Sequence, residues 1–155
     1  MIIKVPLDEM LTDHFSIREL VKTDHKAFKE KNMIHLNFKI LKKALLLAQT
    51  LEILREHAGK VPITVVSWLR CSELNREIGG SETSQHLKGE AVDIKIKGMT
   101  AKDIFYLIKK MVAFDFFSIG QCIKYKGNET SIHLSLPYSK VENFLYNYEL
   151  KKRRT

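Results

Sequence analysis

Two short segments of this 155-residue chain alternate apolar and polar residues, and each carries one side chain able to bind a metal ion. The first, Ala91-Val92-Asp93-Ile94-Lys95-Ile96, follows Gly89; the second is Ser131-Ile132-His133-Leu134-Ser135-Leu136. A period of two is that of a β-strand, whose successive side chains point to opposite faces. Val92, Ile94 and Ile96 then share one face, as do Ile132, Leu134 and Leu136. Asp93 and His133 project from the other. If the two strands are neighbours with their apolar faces on a core, Asp93 and His133 meet on the open face of the sheet. A further histidine, His86, lies in the glycine-flanked loop just before the first strand and can swing over to complete a triangle.

Two imidazoles and a carboxylate suit zinc. Three protein ligands leave a fourth position for water, the arrangement of a catalytic rather than a structural zinc site. Each of the three residues alone reads as an ordinary surface side chain. Their joint spacing, with the Gly79-Gly80 turn ahead of them, carries the inference.

Composition sets the frame. At 45% hydrophobic and 28% charged, residues 1–155 fit one soluble domain around a single core. A net charge of +8 points to an anionic partner: nucleic acid, a membrane surface or an anionic cell-wall polymer. Part of that excess sits in Lys151-Lys152-Arg153-Arg154, read with Thr155 as a solvated basic tail. No aromatic-interleaved basic strand or reading helix is recognisable, so no specific nucleic-acid recognition is expected. The N-terminus lacks a charged region followed by a long apolar stretch, so no signal peptide is expected. The longest apolar run, Ala44 to Ala48, is too short to span a bilayer, and no transmembrane segment is expected. Cys71 and Cys122 cannot form a disulfide framework and read as buried thiols.

The patterning predicts an α+β domain, a small, mainly antiparallel sheet of about four strands flanked by helices. Ser16 and Glu19 fit a capping box. A long helix is predicted over 37–57, with Phe38, Leu41, Leu45, Ala48, Leu51 and Leu54 near helical spacing and Gly59 as its stop. Pro62 opens a strand over 63–67, and a short helix follows over 72–78. Thr100 and Asp103 open a helix running to Ala113, and Ser139 and Glu142 cap a last one. Residues 119–125 read as a strand joined by a Gly127-Asn128 turn to its hairpin partner over 131–136.

The ordered series of motifs resembles the zinc D-alanyl-D-alanine carboxypeptidase and endopeptidase family, including phage-type peptidoglycan peptidases, within the hedgehog/D-Ala-D-Ala metallopeptidase fold. The resemblance runs through His14-Phe15-Ser16-Ile17-Arg18-Glu19-Leu20, Leu54-Arg55-Glu56, Pro62 to Arg70 and Leu74-Asn75. It peaks at Gly79-Gly80 through Asp93 and ends at Ile132-His133-Leu134-Ser135. It implies zinc ligands at His86, Asp93 and His133. It also implies a substrate-binding arginine at Arg70, whose guanidinium suits a peptide carboxylate or carbonyl, and a groove-lining serine at Ser84.

The resemblance further calls for a carboxylate to move the proton of the attacking water. Members often carry it three residues before the last histidine, here Thr130, or on the preceding strand, where this chain has Gln121, Lys124 and Tyr125. Glu129, one place off register, is the candidate catalytic residue, with Glu90 and Asp115 as alternatives. In a regular strand, four residues at about 3.3 Å each would leave its backbone roughly 13 Å from that of His133. The implied function is a zinc-dependent peptidase acting on peptidoglycan stem or cross-bridge peptides. It would be made in the cytoplasm and act at the cell wall or periplasm, as a phage lysin or on a virion. The displaced carboxylate keeps a second expectation open: a catalytically impaired relative that binds wall peptides or serves a virion structure.

Overall fold

The computed structural model describes residues 4–137 and the strand backbone of 150–152. The helices are α1 (Ile17–Val21), α2 (Lys29–His35), α3 (Phe38–His57), α4 (Ser72–Glu77) and α5 (Ala101–Ala113). The strands are β1 (Ile63–Ser67), β2 (Ala91–Ile96), β3 (Cys122–Lys126), β4 (Ile132–Ser135) and β5 (Leu150–Lys152). They form one sheet in the order β1-β2-β4-β3-β5, giving the expected α+β fold. The first four strands are antiparallel, and β5 adds to β3 in parallel. The backbone of Lys151 and Lys152 is thus part of the sheet, opposite Tyr125 and Lys126, where the sequence suggested a tail. The helix expected from Ser139 lies outside the described residues.

Local chemistry explains most of the boundaries. Ser16 and Glu19 form a reciprocal capping box at α1, and Thr100 and Asp103 repeat it at α5. The Asn37 side chain accepts from the Ile40 N–H at 2.9 Å and starts α3; Gly59, at φ +90°, ends it. The buried stripe of α3 is Ile40, Ala44, Leu47, Ala48, Leu51 and Leu54. Phe38 and Leu45, expected on that stripe, are exposed. Residues 44–48 are all apolar, so two phases of the helix fit the pattern, and only packing against the sheet selects one.

The helix α2 was not expected, because its N-cap, Phe28, offers no side-chain acceptor. Tertiary bonds hold it instead. The fully buried Asn32 donates to the carbonyls of Val21 and Leu69 and accepts from the Cys71 N–H at 2.7 Å. Strand β3 begins three residues later than expected. Ahead of it, a Cβ on Gly120 would stand 2.3 Å from the Leu136 carbonyl oxygen, so only glycine permits this approach. The β3–β4 turn is closed by Asn128, whose side-chain oxygen accepts from the N–H groups of Thr130 and Ser131.

The sheet registers fix the two faces. Ile63, Val65, Val92, Ile94, Ile96, Ile132, Leu134 and Cys122 share one face and join the main core with α3 and α5. On the opposite face, Ser67, Asp93, His133 and Ile123 form one row across the four antiparallel strands.

Candidate metal centre

Asp93 and His133 stand directly opposite each other on β2 and β4, as the alternation predicted. Their face is not open at this end. The segment Trp68–Arg70 and a 3-10 turn over Gln85–Lys88 cover it, leaving His86, Asp93 and His133 only 2%, 4% and 7% exposed. Period-two reasoning finds which face a side chain takes, and connections from elsewhere in the chain decide whether that face meets water.

His86 arrives on the 3-10 turn. Ser84 caps that turn, its hydroxyl accepting from the His86 N–H at 3.3 Å, and Gly89 closes it at φ +69°. Two further bonds fasten the turn to the segment after β1: Arg70 N–H donates to the His86 carbonyl at 3.1 Å, and His86 Nδ1 meets the Trp68 carbonyl at 2.6 Å. Trp68 is wholly buried and donates its indole N–H to the Gly89 carbonyl, so both ends of the turn hang on one residue.

His86 Nε2 and His133 Nδ1 both face Asp93 Oδ1, at 3.4 Å and 3.0 Å. One ligand atom from each of the three residues lies within 4.8 Å of the others. A carbonyl oxygen can only accept, so His86 carries its proton on Nδ1 and turns the Nε2 lone pair toward the carboxylate. Burial, the Arg70 charge and His133 push the His86 imidazole down in pKa against the pull of Asp93, which disfavours a second proton there. Two lone pairs facing each other in a buried site need positive charge between them, and a divalent cation supplies it. The donor set of two nitrogens and one oxygen fits zinc, and the Trp68 carbonyl behind His86 Nδ1 already holds that imidazole in a binding orientation.

Arg70 reaches the same cluster. Its Nη2 donates to Asp93 Oδ2 at 3.2 Å and its Nε to Ser67 Oγ at 3.2 Å. Ser67 sits opposite Asp93 after an irregularity in the β1 register. The guanidinium occupies one carboxylate oxygen and leaves the other to the imidazoles. Neither the Trp68 carbonyl nor Ser67 was foreseen. A backbone oxygen leaves no mark in side-chain patterns, and Ser67 becomes relevant only through the sheet register.

Glu129 is not brought to this cluster. Its carboxylate accepts from Lys124 Nζ at 2.8 Å and is largely exposed. Lys124 follows Ile123, which pairs with His133, so its side chain leaves the sheet on the opposite face and takes Glu129 with it. The extra residue of register thus resolves away from the His86–Asp93–His133 cluster. Glu90 is engaged with Gln85 and Lys43. Asp115 lies beyond the end of α5, at φ +58°. Tyr125, two residues along β3 from Ile123, shares the face of His133, and their rings meet edge to face at 6.1 Å.

A family described as Peptidase M15 matches residues 13–135, a span that runs from the segment before α1 to the end of β4 and contains the whole cluster. No curated protein matches the chain.

Proposed function

The chain belongs to the Peptidase M15 family, and from that premise we propose that it is a zinc-dependent peptidase cutting the stem or cross-bridge peptides of peptidoglycan. The observation that carries this reading is the buried His86–Asp93–His133 triangle with its histidine tautomer fixed by Trp68. Zinc held there supplies a Lewis acid that activates water and polarises a peptide carbonyl.

The chain's own residues do the rest. His86 and His133 present nitrogen lone pairs from two different elements, and Asp93 offsets part of the metal's charge. Arg70 fixes the carboxylate of Asp93 and places a permanent positive charge beside the site, suited to a carboxylate or carbonyl of the peptide. Ser84, which caps the turn that bears His86, is the residue expected to line the substrate groove. The net charge of +8 favours approach to an anionic wall, an attraction that salt would weaken. The chain would act at the wall as a phage-type lysin or virion component. Among the described residues, no helix is long and apolar enough to cross a membrane.

A second reading is a wall-binding relative that holds the metal without turnover. It is favoured by the placement of Glu129 on Lys124, away from the cluster. Mass spectrometry of purified peptidoglycan after incubation with the zinc-loaded protein separates the two, with His86→Ala as control. Fragments made only by the intact protein support the peptidase, and their masses name the bond. Their absence, from protein shown to hold zinc, supports the binding protein.

A further inference from the structure

We infer that the outward face of α3, with the adjoining end of α2, is a docking surface for an anionic lipid bilayer. Residues 26–49 hold six lysines and one glutamate, a net charge of +5 out of the chain's +8. The same stretch holds Met33, Ile34, Phe38, Leu45 and Leu46, five of the ten large apolar side chains exposed among the described residues. A single exposed leucine is ordinary. Apolar side chains gathered among cations on one helix face are the pattern of a helix that lies in a membrane interface.

The helix period places these groups together. Ile40, Ala44, Leu47, Leu51 and Leu54 face the core, so Phe38, Lys42 and Leu45, spaced i, i+4 and i+7, take the opposite side. Lys39 and Leu46, seven residues apart, flank them. All five are exposed, Phe38 to 61%. Eight residues of helix keep them within about 12 Å along the axis. Lys31 and Ile34 border one cleft with Asn37, the cap of α3, so the exposed end of α2 adjoins this face.

The mixture of groups selects the occupant. A soluble polyanion such as nucleic acid or a wall polymer would satisfy the lysines and leave Phe38, Leu45 and Leu46 in water. A second copy of the chain would cover the apolar groups but set lysine against lysine. An anionic bilayer meets both needs, with headgroup phosphates at the ammonium groups and the acyl boundary at the apolar side chains. The corner is also tied to the turn that bears His86. His35 Nε2 meets the Leu87 carbonyl at 2.8 Å, and Lys43 pairs with Glu90 at 3.8 Å. Docking would therefore hold the candidate metal centre in a set position relative to the lipid surface.

The test is co-sedimentation of the full chain with vesicles, which carry no wall peptide and so leave the peptidase reading untouched. Vesicles of phosphatidylcholine with about one-third phosphatidylglycerol should bind wild type at least about tenfold more tightly than phosphatidylcholine alone. Phe38→Gln with Leu45→Gln should weaken that binding at least about tenfold, through lost apolar burial. Lys39→Gln with Lys42→Gln should weaken it about thirtyfold. Lys95→Gln with Lys97→Gln removes the same charge at the end of β2, where Lys95 takes the sheet face away from α3, and should cost no more than about threefold. Glutamine is a good helix former and the α3 positions are exposed, so thermal melts should stay near wild type. The comparison of the two lipids needs no variant at all. Equal binding to both vesicles, or to neither, overturns the inference. So does an α3 apolar pair that binds within about twofold of wild type, since a soluble polyanion would then serve as well. A β2 pair as costly as the α3 lysine pair would mean that net charge and not this face is read. A wild-type dimer that the apolar pair makes monomeric would give the face to a second copy and also overturn it.

Discussion

The Nδ1 of His86 lies 2.6 Å from the carbonyl oxygen of Trp68, and this one contact decides which way the histidine faces chemically. It consumes the only proton of the neutral ring and commits Nε2 to the Asp93 carboxylate 3.4 Å away. A ligand is usually described by the metal it touches. Here the backbone behind it sets its basicity and orientation before any metal arrives.

Zinc should stabilise the fold, because the triangle exists only when β2, β4 and the His86 turn are assembled. At a hundredfold excess over its dissociation constant, zinc should raise the unfolding free energy by about 2.7 kcal/mol. Denaturant unfolding with and without zinc reads this directly. His86→Ala should lose the increment, and an equal increment in that variant would place the metal elsewhere.

Arg70→Lys keeps the charge but cannot bond Asp93 and Ser67 together through one planar fork. Zinc affinity should fall on the order of tenfold, as for other residues that orient a metal ligand. Chelator competition measures it. Unchanged affinity would mean that Asp93 is held without its arginine.

Glu129→Gln should leave turnover within about twofold of wild type, because Lys124 holds this carboxylate on the other side of the sheet. Steady-state assays on wall peptide check this. Turnover abolished with zinc still bound would return Glu129 to the mechanism.

Asn32→Leu removes three hydrogen bonds and strands the buried carbonyls of Val21 and Leu69 and the N–H of Cys71. The cost should be about 3 kcal/mol or more, since buried groups without partners lose their full hydration. A midpoint in urea close to wild type would contradict the role given to α2.

Glu52 binds the segment before α1, accepting from the Thr12 hydroxyl and the His14 N–H, each at 2.8 Å. Burial opposes its ionisation, yet these bonds and His14 together hold its pKa below the ordinary glutamate value. A depressed folded-state pKa gives stability that is complete above the unfolded value and lost as pH falls through the folded one. Wild type should therefore exceed Glu52→Gln by a constant amount, roughly 1 kcal/mol or less, above about pH 5. The gap should narrow in acid. A gap that widens below pH 4 would reverse the assigned sign.

Elements whose causes are local can be read without the fold. The capping boxes at Ser16 and Thr100, the stop at Gly59 and the faces of β2 and β4 follow from neighbouring side chains and a two-residue period. These same local rules brought His86, Asp93 and His133 into view as a set. Everything else depends on contacts between distant segments. The stripe of α3 was ambiguous because residues 44–48 are apolar throughout, and packing against the sheet chose its phase. The fate of Glu129 turned on which face of β3 Lys124 leaves, a matter of register with His133. The tautomer of His86 came from Trp68, eighteen residues away, through a backbone oxygen that no side-chain pattern records.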